Sequence, residues 1–386
     1  MLKRFLLTPG PTPVPPEVLS ALSEPVVHHR APRFTAILKD VVAGLKYVYQ
    51  TENDVLVFAA SGTGAMESAV VNVVNPGDHV IVASVGNFGE RWLKLTRNWG
   101  AEVTALEYEW GTKADPADIQ RALAEDPAVK AVYVQFSETS TGVVNDIRAI
   151  GEVVARTPAI LVVDAISGLG ATDLKTDDWH VDVCVAGSQK ALMVPPGLAY
   201  VAVSEKAWKV IEACTTPRFY FDYPTYRKKM TGDSAQTPYT PAVSLMVAQN
   251  AAIELIRQEG LQNVFARHRW LGKACKAGVQ ALGIELFGPD DPEANSVTAC
   301  KAPAGIDGGK ITKLARDKYG VWLAGGQGKL KGQIFRFGHC GYFGASDILV
   351  GLGVLEMVLS ELGYDVEWGA GTGAAAQVLA QSPVQL

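Results

Sequence analysis

The chain has no clustered cysteines, no block of basic residues and no apolar stretch of membrane-spanning length. Each of these gaps removes a class of function. The five cysteines (Cys184, Cys214, Cys275, Cys300, Cys340) are scattered, odd in number and never spaced C-x-x-C. That argues against a cysteine-based metal or iron–sulfur centre and for a reducing compartment, the cytoplasm. Lys and Arg total 35 against 40 Asp and Glu, a net charge of −5 without a cationic run. The clustered cations that neutralise nucleic-acid phosphates are therefore missing. Apolar stretches such as 159–165 are strand length, far short of the ~20 residues that cross a bilayer. The opening Met1-Leu2-Lys3-Arg4 runs into prolines, not into a signal-peptide apolar region. His28-His29 is the single adjacent histidine pair, and sequence neighbours seldom ligate one metal together.

What is present describes an ordinary globular protein, with 48% hydrophobic and 19% charged residues. At 386 residues the chain exceeds the roughly 250–300 at which single cores stop growing, so two domains are expected. Residues 6–16, LLTPGPTPVPP, hold too many prolines for a helix interior and read as an extended arm. In 33–50 an apolar stripe at helical period follows: Phe34, Ile37, Leu38, Val41, Val42, Leu45, Val48. From Asp54 onward short β-branched runs at 55–60, 80–84, 103–108, 131–136, 159–165, 181–187 and 198–203 alternate with helical stretches. The helical stretches fall at 65–74, 89–98, 116–125 and 146–156. Continuously apolar strands are those covered on both faces, and the βαβα rhythm predicts an α/β fold with a mostly parallel, doubly wound sheet. After residue 242 come helices at 242–259 and 261–282, then a smaller α+β region with a strand at 334–339 and a helix at 345–362. The expected divisions are an arm (1–16), a large domain (17–255), a small C-terminal domain (256–366) and a Gly/Ala-rich tail (367–386), loose or a lightly docked helix.

In an open α/β sheet ligands bind at the carboxyl ends of strands, and several such ends carry chemistry. Ser61-Gly62-Thr63-Gly64 is a turn entering a helix, whose free N–H groups and positive dipole end suit a phosphate; it also reads as a plain N-cap. Asp164 ends a strongly apolar strand, where a carboxylate is costly unless a cation or donor meets it; a capping Asp is the alternative. Lys190, in Gly187-Ser188-Gln189-Lys190, is flanked by apolar sequence on both sides. Desolvation there favours the neutral amine that attacks aldehydes, whereas a solitary lysine is ordinarily a surface residue. Phe88 offers a ring for stacking or for the core. The hydroxyls of Glu138-Thr139-Ser140-Thr141-Gly142 face either a ligand or solvent. The order of these features along the chain is what makes them a set.

That set resembles a class V aminotransferase of the fold-type I pyridoxal-phosphate (PLP) superfamily, within the alanine–glyoxylate and serine–pyruvate (serine–glyoxylate) group. The motifs run from LLTPGPTPVPPEVL through SGTGAMES, GNFGER, ETSTGV, VVDAISGLG and GSQKALMVPPG to IFRFGHCG. The resemblance implies that Lys190 is the Schiff-base lysine and general base, with Asp164 on the pyridine nitrogen. It implies phosphate contacts from Ser61, Gly62 and Thr63, ring stacking by Phe88 and a hydroxyl contact from Thr139. Ile166 would pack beneath the ring, and Gln189 stands just before the lysine. It further implies a homodimer with shared active sites, in which Gln236, Thr237 and Thr240 lie where the neighbouring subunit's phosphate is reached. Arg336 would take the substrate carboxylate, its planar fork pairing both oxygens, and Gly10 would line the substrate entrance.

The activity so implied is a ping-pong transfer of an amino group from alanine or serine to glyoxylate or pyruvate. An aspartate donor would call for a further side-chain cation, with Arg33 or His29 as candidates. A cysteine desulfurase or lyase would need a mobile nucleophilic cysteine; Cys340 is near Arg336 in sequence but reads as packing. An electron-transfer role finds no grouped metal ligands in the sequence.

Overall fold

The computed structural model describes residues 3–386; Met1 and Leu2, the start of the expected arm, lie outside it. The arm contributes a two-residue strand, β1 (Phe5–Leu6). Seven strands then build the main sheet: β2 (Asp54–Phe58), β3 (His79–Ser84), β4 (Glu102–Glu107), β5 (Ala131–Gln135), β8 (Ile160–Asp164), β9 (Val183–Gly187) and β10 (Ala199–Val203). The short pair β6 (Ser137–Glu138) and β7 (Val143–Val144) forms a small antiparallel ladder beyond β5.

Sheet order is β2-β10-β9-β8-β5-β3-β4. Strands β9, β8, β5, β3 and β4 pair in parallel, as the alternating pattern requires. Only β10 runs against its neighbours β9 and β2. A parallel return needs a crossover of a dozen or more residues, usually helical; the 188–198 link between β9 and β10 contains no helix. Strands β5, β8, β9 and β10 are buried along their whole length, which is why they read as unbroken apolar runs. Edge strand β4 is half open to solvent, and its polar residues Glu102, Thr104 and Glu107 tell of that.

Helices cover both faces. After α1 (Pro16–Leu22), the first layer holds α2 (Pro32–Tyr49), with α5 (Pro116–Glu125), α6 (Ile147–Val154) and α9 (Val243–Glu259). The second holds α3 (Gly62–Val73), α4 (Asn87–Asn98), α7 (Glu205–Ala213) and α8 (Tyr223–Met230). Starts are set by side-chain caps from Ser61, Asp115, Asp146, Ser204 and Asp222. In α2 the stripe residues Phe34, Leu38, Val41, Leu45 and Val48 are buried.

The C-terminal part has its own core. Strands β11 (Val297–Lys301), β13 (Ala324–Gly325) and β14 (Ile334–Gly338) form an antiparallel sheet in the order β11-β14-β13, while β12 (Val321–Trp322) pairs in parallel with β1. Helices α10 (Leu261–Ala281), α11 (Gly308–Tyr319) and α12 (Ala345–Glu361) pack on it. A division after residue 255 falls inside α9, and the helical break comes at Gly260, whose φ is +82°. The tail is more firmly held than its composition suggested. It forms α13 (Ala370–Leu379), with Gly371 and Ala375 buried against the α10 and α12 layer. The missing side chains are what let α13 approach: a Cβ at Gly371 would stand 2.9 Å from Leu282.

Candidate active site

Asp164 is the last residue of β8 and pairs in register with Val185 of β9. Lys190 follows β9 by one short turn, so the two side chains rise from adjacent strand ends. Both are buried, at 5% and 8% exposure. Burial holds the Lys190 amine down at about 8, Arg336 and Arg91 adding to the effect and Cys340 and Asp164 opposing it. Burial likewise pushes the Asp164 carboxyl up to about 7, against the Ile166 N–H and the charges of Arg91 and Lys190. Lys190 Nζ donates to the Pro9 carbonyl at 2.7 Å, and Asp164 Oδ1 accepts from Ile166 N at 2.9 Å.

The arm closes over the lysine. Thr12 N donates to the Gln189 carbonyl (3.2 Å) and Thr12 Oγ1 to the Lys190 carbonyl (3.0 Å). Gly10, with φ +148°, leaves the space that the amine fills; a Cβ there would stand 2.3 Å from Lys190 Nζ. Only glycine fits.

Ser61 caps α3 by accepting from Gly64 N at 3.4 Å, and the first-turn N–H groups of such a helix point outward without intrahelical partners. Gly62 stands under Ile166 and beside Gly187: a Cβ on Gly62 would come within 2.6 Å of Ile166 Cδ1. The phosphate-turn candidates, Ile166 and the Lys190 strand thus share one end of the sheet. Gln189 is half-buried, and its Oε1 is buried without a partner.

Phe88 is the second residue of α4, and what fixes it is Glu138, a residue the sequence did not single out. Fully buried, Glu138 accepts from Phe88 N and Gly89 N (both 3.0 Å) with one oxygen and from Ser140 N (3.1 Å) and Ser140 Oγ (2.5 Å) with the other. Burial raises its carboxyl; the four donors oppose that. Thr139 Oγ1 shares a short hydrogen bond with Ser167 Oγ.

Arg91 also escaped the sequence reading. One turn beyond Phe88, it lies over that ring, 4.7 Å from the centroid, and donates to Thr63 Oγ1 at 2.9 Å. The i,i+3 spacing of Phe88 and Arg91 on one helix face was the available signal.

Arg336 on β14 is 4% exposed. Its Nε and Nη2 both reach the Gly325 carbonyl (3.0 and 2.7 Å) and Nη1 reaches the Thr139 carbonyl (2.7 Å). Among the described residues it forms no ion pair, and burial lowers its affinity for its proton to about 10.

Other candidates are placed elsewhere. Within the single chain, Gln236 Oε1 and the Thr237 carbonyl accept from Arg30 (2.9 and 2.6 Å), Thr237 Oγ1 donates to Tyr239 O (2.7 Å), and Thr240 is exposed. None of the three contacts Ser61, Gly62 or Thr63 by a hydrogen bond. Arg33 is engaged in an exposed ion pair with Glu24 (3.0 Å). Cys340 is fully buried and its thiol is pushed up to about 11, the state of a packing residue.

The chain has relatives among known proteins along nearly its whole length. A sequence model of the family described as aminotransferase class-V matches residues 4–332. The chain is 44% identical to a soluble hydrogenase small subunit of Synechococcus, over 98% of each chain. It is 37% identical to a serine–glyoxylate aminotransferase of Methylorubrum extorquens, over 99% of this chain and 97% of that one. The crystal structure of a ureidoglycine–glyoxylate aminotransferase from Bacillus subtilis superposes with a TM-score of 0.94 at 33% identity, covering 99% of both chains. With its parallel sheet, arm-covered lysine and small C-terminal layer, the chain belongs to the class V aminotransferases of the fold-type I PLP enzymes.

Proposed function

We propose that this chain is a transaminase that moves an amino group from a small amino acid, alanine or serine, to a 2-oxo acid such as glyoxylate or pyruvate. The observation that carries it is a buried amine and a buried carboxylate side by side at two strand ends, neither in an ion pair among the described residues. Such groups are costly without a ligand that meets both. PLP fits them: its aldehyde suits Lys190, its ring nitrogen Asp164 and its phosphate the Ser61–Gly62–Thr63 turn, with Phe88 and Ile166 for its faces and Thr139 and Gln189 at its edges. When bound, PLP supplies an electron sink for the substrate Cα.

The chain's own residues then divide the work. Arg336 holds the substrate carboxylate and so fixes which Cα bond faces the cofactor. Lys190, whose proton burial makes easier to lose, takes and returns the proton at Cα. Asp164 keeps a protonated ring nitrogen in place, and the Gly10 turn shuts water out over the amine. Because amino donor and oxo acceptor both carry an α-carboxylate, one Arg336 serves both half-reactions in turn.

A second copy completes the site in this reading. Support comes from an exposed aromatic patch, Phe219 (78% exposed) and Tyr220 with Tyr239 stacked on it at 5.5 Å, adjoining the 236–240 segment. Light scattering of a monomer alone would remove this part.

The test is direct. Purified protein given PLP should gain visible absorption that L-serine or L-alanine removes and glyoxylate restores; Lys190→Ala should do neither. Protein that takes up no PLP, or keeps its spectrum with every amino acid supplied, defeats the proposal. Sulfide release from cysteine would select the desulfurase instead.

A further inference from the structure

The Ser61–Gly62–Thr63 turn has a shortage of charge. A phosphate ester near neutral pH carries roughly −1.5 to −2, whereas a helix N-terminus supplies about half a positive charge. The turn itself, Ser61-Gly62-Thr63-Gly64, contains no cation, and neither does the 236–241 segment, Gln-Thr-Pro-Tyr-Thr-Pro, that a second copy would add. Hydroxyls and amides supply hydrogen bonds but leave about one negative charge unmatched.

Arg91 is placed to match it. Its Nη1 is 2.9 Å from Thr63 Oγ1, in the first turn of α3. Its guanidinium carbon lies over the Phe88 ring, 4.7 Å from the centroid, and Glu138 in turn fixes the backbone at Phe88 and Gly89. It is half-buried and forms no ion pair with any acid among the described residues, unlike Arg33, Arg218 and Arg227, which all do. Arginine stacked on an aromatic face keeps its in-plane N–H groups free for an anion.

We infer that Arg91 is the cation of the phosphate turn, held over Phe88 on one side and aimed at Thr63 on the other. This inference rests on the PLP reading above. One residue would thus tie the ring-stacking position to the phosphate position, so that cofactor ring and phosphate are gripped by a single rigid stretch at the start of α4.

The test compares two ligands that differ only in the phosphate. Cofactor-free protein, its fold checked by circular dichroism, is titrated with PLP and with pyridoxal, and binding is read by tryptophan fluorescence and visible absorption. Arg91→Met should weaken PLP by roughly ten- to a hundred-fold, the worth of one charge-assisted contact, and leave pyridoxal binding nearly as in the wild type. Arg91→Lys, which keeps the charge and loses the fork, should fall between. Equal weakening of both ligands, or of neither, overturns the inference. So does an Arg91→Met protein with normal PLP retention whose KM rises for L-aspartate alone, since the arginine would then serve a substrate side chain. Wild-type protein that binds pyridoxal as tightly as PLP sinks this inference and spares the enzyme reading; wild-type protein that binds neither sinks both.

Discussion

Replacing Arg336 with Gln tests the substrate end of the site most directly. A guanidinium has five N–H donors. Three are engaged by the Gly325 and Thr139 carbonyls, which leaves one on each terminal nitrogen, matching the two oxygens of a carboxylate. A charge-assisted hydrogen bond is worth about 1.5–3 kcal/mol, so losing two of them costs roughly 3–6 kcal/mol of binding to the transition state. At 1.36 kcal/mol per decade that is about 10²- to 10⁴-fold in kcat/KM. The loss should appear in both half-reactions, measured separately with amino donor and with oxo acceptor, because each substrate carries the carboxylate. PLP uptake should be unaffected. An amine donor without an α-carboxylate supplies the control: it should react equally poorly with wild type and variant. An Arg336→Gln enzyme within about tenfold of the wild type in kcat/KM, or one equally impaired toward the carboxylate-free amine, would refute the assignment.

Lys190→Met should make cofactor-free protein more stable, since it removes a cation that burial disfavours. The folded pKa, about 8 against an ordinary 10.5, lies below the unfolded one, so the penalty is full below pH 8 and fades toward pH 10.5. Its ceiling is about 3 kcal/mol. Melting curves of both proteins at pH 7 and pH 10 should converge at the higher pH; a gap that does not shrink refutes this. Glu138→Gln puts an amide donor among N–H and O–H donors and should cost about 2–4 kcal/mol, read as a lowered Tm; an unchanged Tm contradicts the capping role. Gly10→Ala would set a methyl 2.3 Å from Lys190 Nζ and should depress kcat far more than Tm, as the amine leaves the Pro9 carbonyl; an unimpaired kcat would show that the turn can give way.

The sheet was legible because its strands are buried on both faces, and such strands leave apolar runs bounded by turns. Lys190 and Asp164 were legible for the same reason: a charged residue stands out at the end of an apolar run. The antiparallel β10 was not, since strand direction depends on the 188–198 link and leaves no mark in β10's own residues. Nor were Glu138 and Arg91, whose importance lies in what they touch. Glu138 reads as one polar residue in a polar loop until it is seen to be enclosed with four donors around it. The small C-terminal layer was foreseen only in outline, because strands as short as β12 and β13 carry no periodicity, and α13 was foreseen as at most a lightly docked helix because glycine weakens a helix and the residues it packs on lie elsewhere in the chain.

The N-terminal arm has its ends in two places. Phe5 and Leu6 pair with β12, and Leu7 O accepts from Gly338 N at 2.8 Å, all in the C-terminal layer, while Pro9 and Thr12 are bonded to Lys190 beside the main sheet. A strap so anchored transmits motion: if the C-terminal layer swings away, the Pro9 carbonyl is drawn off the amine with it. Removing the first nine residues would therefore take the Pro9 carbonyl from the reactive nitrogen and leave the two halves of the pocket joined through contacts such as that of Arg336 with the Thr139 carbonyl.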